Sequence, residues 1–156
     1  MVDPLRRDDD VPLPDLLRSA RDVYRRAVRR ALSGTGHDDL PRHAVFVLAG
    51  LDHGAGERPF SAQGDVVANL GMSKQAASQL IDTLVLREYL ERRSDPVDRR
   101  RMEIRLTDRG RGAATAIHAA IGDVDAAVTR SISRDQLRGM RAGLAAYRLI
   151  GEASGG

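Results

Sequence analysis

The 156-residue sequence has no cysteine, which excludes disulfides, thiolate nucleophiles, thiol redox sensing and cysteine-bound zinc. Aromatic residues are scarce too. Tyr24, Phe46, Phe60, Tyr89 and Tyr147 make up the whole set, 3% of the chain, so any core has to be aliphatic. No apolar run approaches the roughly 18–20 residues needed to cross a bilayer. The N-terminus sets Asp3, Asp8, Asp9 and Asp10 beside Pro4 and Pro12, lacking the basic start and apolar stretch of a signal peptide. Residues 1–12 are therefore expected to form a mobile arm on a cytoplasmic protein. Enzyme signatures are missing as well: there is no phosphate-cradling glycine loop after a strand, no HExxH and no nucleophile elbow. No catalytic residue and no cofactor are expected.

Hydrophobic residues reach 42%, enough for one compact domain or two small intertwined pieces. Of the 25 basic residues only Lys74 is lysine, and the net charge is +3. An arginine-biased composition accounts for part of this. Arginine is also the side chain that best grips phosphate and guanine edges, and a pI near 9.9 permits nucleic-acid binding without demonstrating it.

Leu13, Leu16, Leu17, Ala20, Tyr24, Ala27, Val28 and Ala31 recur at helical spacing, predicting a helix over about 14–32 that stops near Gly34. Its opposite face carries Arg18, Arg21, Arg25, Arg26, Arg29 and Arg30, read as a solvated face. A second helix is expected from about Leu40-Pro41, carrying Val45, Leu48 and Leu51. Ser61 caps a short segment with Val66, Val67 and Leu70. After Gly71, Ser73 caps a helix whose inner face is Ala77, Leu80, Ile81 and Leu84. Two short helices around a glycine turn are the helix-turn-helix pattern, weak by itself.

The next stretch of chain has the period of β-structure. Met102, Ile104 and Leu106 alternate with Arg101, Glu103 and Arg105, and Tyr89–Arg93 is the expected partner strand. Beyond the hairpin, Ile117, Ile121, Val124 and Val128 form a heptad-like seam. Ser133-x-x-Gln136 has capping-box spacing before Leu137, Met140, Leu144 and Tyr147. The expected fold is mainly α with a small β-hairpin (α+β): a winged helix-turn-helix over 38–111, flanked by N- and C-terminal dimerisation helices at 13–34 and 112–152. The recognition helix is expected at 73–87 and the wing at 89–106. The terminal seams offer more apolar face than the central module covers, so a homodimer is expected.

The run GMSKQAASQLIDTLVLREYLERRSDPVDRRRMEIRLTDRGR resembles the multiple-antibiotic-resistance repressor (MarR) family, most specifically in DPVDRRRMEIRLTDRG. Two residues depart from the pattern: Glu88 stands where relatives often have Gly, predicting a less sharp helix end, and Val67 stands where Ala is more frequent. The resemblance implies a dimeric repressor on a pseudo-palindromic operator, released by a small aromatic or phenolic ligand. In a helix-turn-helix the early residues of the second helix enter the major groove. This makes Ser73, Lys74, Gln75, Ser78 and Gln79 candidates for contact with double-stranded DNA, Gln being able to read adenine bidentately. Residues 92–101 hold five arginines against Asp95 and Asp98. By resemblance Arg100 enters the minor groove, with Arg99 and Arg101 on phosphates. Asp98, which would repel DNA, is assigned to shaping the wing.

Tyr24, His43 and His53 are candidate ligand-pocket residues, although a core or surface role is the commoner one for each. No two histidines are four apart, so no metal site is assigned, although a metal-responsive regulator stays an alternative. The other alternative is a winged helix used for protein contact. Three consecutive arginines at the hairpin tip favour phosphates over it.

Overall fold

The computed structural model describes residues 11–53, 72–94 and 102–154, except the side chains of Phe46, Asp52, His53, Arg148 and residues 151–154. The expected arm over residues 1–10, the segment around Val66, Val67 and Leu70, and the wing tip with Asp98, Arg99, Arg100 and Arg101 lie outside the described residues. The elements are α1 (Leu13–Leu32), α2 (Ala44–His53), α3 (Lys74–Leu86), β1 (Leu90–Ser94), β2 (Met102–Leu106), α4 (Asp108–Ser131) and α5 (Arg134–Ser154). The mainly helical fold with one antiparallel hairpin is the one the periodicities predict.

α1 ends where Gly34, at φ +75°, turns the chain after the Ser33 cap. α2 begins at Ala44 rather than at Leu40-Pro41. Residues 37–44 are spent on two consecutive turns, with Leu40 N–H donating to His37 O and Ala44 N–H to Pro41 O. α3 starts as expected: the Ser73 hydroxyl accepts from Ala76 N–H at 3.2 Å. Its other end corrects the reading of Glu88. That residue takes the left-handed conformation, φ 59°, the only non-glycine with positive φ among the described residues. Glu88 N–H then donates to Val85 O and Tyr89 N–H to Leu84 O, the double closure of a Schellman motif, with Leu84 and Tyr89 buried beneath it. The helix end is sharp. Tertiary burial of Tyr89 holds a backbone conformation that glutamate itself disfavours.

The hairpin pairs Leu90 with Leu106 through to Ser94 with Met102. Its burial does not follow the simple alternation: Ile104 and Leu106 are buried, but Met102 is half exposed and Glu103 is buried. Met102 sits at the outer end, beyond the reach of the core. Glu103 is tolerated because Arg105 Nε and Nη2 donate to its carboxylate at 3.0 and 2.7 Å.

α4 threads the centre. Gly110, Ala113, Ala114, Ile117 and Ala120 are buried on it, α1 and α2 lie along it, and β2 joins its start. The largest fully buried side chains, Tyr89, Leu48, Leu84, Leu90 and Ile117, come from five different elements or junctions. Each contributes roughly 1.5–3 kcal/mol of burial. Past Ile121 the seam is only half covered, at Val124 and Val128. The capping box is made reciprocally, Ser133 N–H to Gln136 Oε1 and Gln136 N–H to Ser133 Oγ, and opens α5.

One glycine fixes how α4 meets the wing. A Cβ on Gly110 would lie 2.1 Å from the Tyr89 carbonyl oxygen and 3.0 Å from a Leu106 methyl. Gly110→Ala is therefore expected to cost about 3 kcal/mol by forcing the helix off the hairpin. Glu88→Gly should instead gain about 0.5–1 kcal/mol by relieving the left-handed strain, partly offset by unfolded-state entropy. Urea unfolding of the two variants checks both signs.

Candidate nucleic-acid interface

Lys74, Gln75 and Gln79 are exposed and Ser78 is half-buried on α3, while Ala77, Leu80, Ile81 and Leu84 are buried on its other side. Helical spacing thus turns the polar candidates outward together, at the end of the helix whose cap is Ser73. Ser73 is exposed as well, with one of its oxygen's two acceptor sites already engaged in capping. Asp82, further along, is neutralised by Arg92 of β1, whose guanidinium donates to its carboxylate. This pair ties the reading helix to the first wing strand. Arg93 pairs with Glu91 at 2.8 Å.

The junction between α3 and the hairpin is held from a segment that sequence reasoning did not single out, residues 36–39. The Tyr89 hydroxyl donates to Asp39 Oδ1 at 2.7 Å. Arg109 Nη2 donates to the same oxygen at 2.8 Å and to Gly36 O at 2.9 Å, and its Nη1 donates to Arg87 O. The Arg109 guanidinium lies 4.3 Å from the centre of the Tyr89 ring, a cation–π contact. The His37 ring flanks Tyr89 at 5.7 Å, and Arg87 donates back to the Asp39 carbonyl. Thr107 completes the joint: its hydroxyl oxygen accepts from Gly110 N–H as the α4 N-cap and lies within hydrogen-bond reach of the Glu88 and Tyr89 carbonyls. The Leu106-Thr107-Asp108-Arg109-Gly110 string is thus a structural lock, its members packed, capping, paired to Arg111, stacked and closely approached in turn.

The two ionisable members are tuned in opposite directions. The Tyr89 hydrogen bond holds the Asp39 carboxyl below its usual 3.8; burial opposes this and the Arg109 charge adds to it. Tyr89 is pushed up to about 12, first by burial and then by its bond to Asp39, with Arg109 and Arg87 opposing.

The ligand-pocket candidates are not brought together by any described contact. Tyr24 is half-buried and donates to Asp125 of α4. That bond, then burial, raises its pKa to about 12, against the opposing charge of Arg141. His43 is exposed in the turn before α2, and the His53 side chain lies outside the described residues. Among the described residues no group of three or more His, Asp and Glu is placed to hold a metal ion, and no helix is long and apolar enough to cross a membrane.

A reading helix, an antiparallel hairpin directly after it and a long helix locked to the hairpin base define a winged-helix protein. Residues 38–101 match the family model described as "MarR family". The chain as a whole has the fold of solved members. It is 19% identical to MepR of S. aureus in its DNA complex, with a TM-score of 0.71 over 90% of this chain and 99% of that one. MepR bound to ethidium bromide is 18% identical, TM-score 0.59, over 93% and 99%. Wild-type MarR from E. coli in its apo form is 21% identical, TM-score 0.58, over 89% and 98%. Comparison with the sequences of curated proteins gives no match.

The pKa directions set two pH windows. Asp39 is depressed, so its contribution to stability is present above 3.8 and is lost as pH falls through the lowered folded value. Tyr89 is raised, so its contribution is present below 10 and is lost as pH rises from 10 to about 12. Urea midpoints against pH should show the acid arm flattened in Asp39→Asn and the alkaline arm flattened in Tyr89→Phe. Arms identical to the parent's would contradict the assignment.

Proposed function

We propose that the chain is a homodimeric, sequence-reading transcriptional repressor that a small molecule releases from a pseudo-palindromic operator. The observation that carries this is the outward face of α3, with Lys74, Gln75, Ser78 and Gln79 turned away from the core immediately before a hairpin. These four side chains, with Ser73, read the major groove. Arg100 enters the adjoining minor groove, Arg99 and Arg101 hold phosphates, and Asp98 shapes the tip. In each half of the dimer, residues 38–111 act as the DNA-binding unit.

Dimerisation has its own support. No described residue of α5 is buried, and Met140, Leu144, Tyr147, Leu149 and Ile150 lie exposed on it. Leu13, Leu16 and Val23 of α1 are exposed in the same way. A second copy is the natural cover for two such helices. Release by an aromatic or phenolic compound draws support from the ethidium-bound MepR structure. Tyr24, His43 and His53 remain the candidate lining for such a compound. The compartment in keeping with this role is the cytoplasm.

The test is a mobility-shift titration on the DNA upstream of the protein's own gene. Arg100→Ala should weaken binding about 10- to 100-fold, the equivalent of one lost groove contact, while the dimer stays folded. Parent affinity should also fall steeply with salt as phosphate counterions are displaced. Binding that is unmoved by Arg100→Ala and flat in salt would favour the protein-contact reading instead.

A further inference from the structure

We propose that the arginine face of α1 is a second, sequence-independent binding surface for the phosphate backbone of duplex DNA, separate from the operator-reading face. The charge distribution is the first reason. α1 carries six arginines against Asp15 and Asp22, a net +4, whereas the whole chain carries +3. The rest of the protein therefore sums to a net −1, the arginines of the wing being offset by acids elsewhere, so α1 alone carries more net positive charge than the whole chain. Position is the second. Arg18, Arg21, Arg25, Arg26, Arg29 and Arg30 are all exposed, while Val28 and Leu32 on the opposite side are buried against the core.

The third reason is the internal arrangement. Arg18 pairs with Asp15 and Arg25 with Asp22, but Arg21, Arg26, Arg29 and Arg30 form no ion pair among the described residues. Arg21–Arg25, Arg25–Arg29 and Arg26–Arg30 are like charges four apart, which destabilise a helix. A face that only had to be wet would be served as well by mixed charges. Only the last-turn pair, Arg29 and Arg30, is favoured by the helix dipole. An anionic polymer relieves the repulsion along the whole row. From Arg18 to Arg29 the row spans about 16 Å at the helical rise, the length of several phosphates along one DNA strand.

DNA fits this face better than a lipid surface does. An amphipathic helix binds a membrane by inserting its apolar face, and that face of α1 is packed on α4 and pinned by the Tyr24–Asp125 bond. Apart from Leu13, Leu16 and Val23, what α1 leaves open is mainly guanidinium, the group suited to bidentate phosphate contact. The surface does not depend on operator reading: it offers neither a groove-entering helix end nor a base-reading amide, so it binds any sequence.

The experiment uses the full chain, a short labelled duplex of arbitrary sequence and fluorescence anisotropy across a salt series. R21Q/R26Q/R29Q/R30Q should bind at least tenfold more weakly at low salt. Its slope of log affinity against log salt should be shallower by about 3.6, near 0.9 for each of the four phosphate contacts removed. Glutamine keeps helix propensity close to that of arginine. Should the fourfold variant melt, R26Q/R30Q reads the same effect at about half size. Lysine at the four positions should retain the parent slope, and the loss should persist in an Arg100→Ala background, which separates it from the wing. An unchanged slope overturns the proposal, as does a lysine variant as weak as the glutamine one. Loss of binding to anionic phospholipid vesicles with the DNA slope unchanged overturns it in favour of a lipid surface.

Discussion

Tyr89 is the residue on which the geometry of the winged helix depends, because three parts of the chain meet on it from three directions. Its carbonyl is approached so closely by α4 that only glycine fits at position 110. Its amide closes the end of α3, and its hydroxyl and ring are gripped by Asp39 and Arg109. Being fully buried, it cannot move without the others. The reading helix, the wing base and the long central helix are thereby fixed in one relation.

That fixity has a functional meaning. In the proposed role α3 and the wing address adjoining grooves of one duplex, so an error in the angle between them would cost contacts at both. The Asp82–Arg92 pair adds a second tie on the outer side of the same joint. Elsewhere, α5 and α1 leave apolar side chains uncovered. The molecule thus divides into a locked winged-helix part and a part that leaves apolar surface uncovered. The segment 36–39 joins α1 to the lock, so a displacement of α1 would be felt directly at the base of the wing.

Much of this was legible from spacing. The extent of α1 and α3, the Ser73 cap, the hairpin and the capping box at Ser133 all rest on local chemistry, and local chemistry is written in neighbouring residues. The outward face of α3 was legible for the same reason. The Asp39–Tyr89–Arg109 cluster was not, since its members lie up to 70 residues apart and pair only once the core has formed. Glu88 misled because a propensity rule expects glycine there, whereas Tyr89 burial imposes the left-handed turn on whatever residue precedes it. Met102 and Glu103 broke the alternation because the hairpin's outer end runs past the core. Tyr89, the sole aromatic between Phe60 and Tyr147, was the one available hint of the joint.

The central claim is that segment 36–39 and the wing base behave as one unit through Asp39 and Tyr89. A double-mutant cycle of Asp39→Ala and Tyr89→Phe, read by urea unfolding at neutral pH, measures this directly. The account predicts a coupling of about 1 kcal/mol, each single change already forfeiting most of what the other would remove. Effects that add to within about 0.3 kcal/mol would show that the two residues contribute separately, and would contradict it.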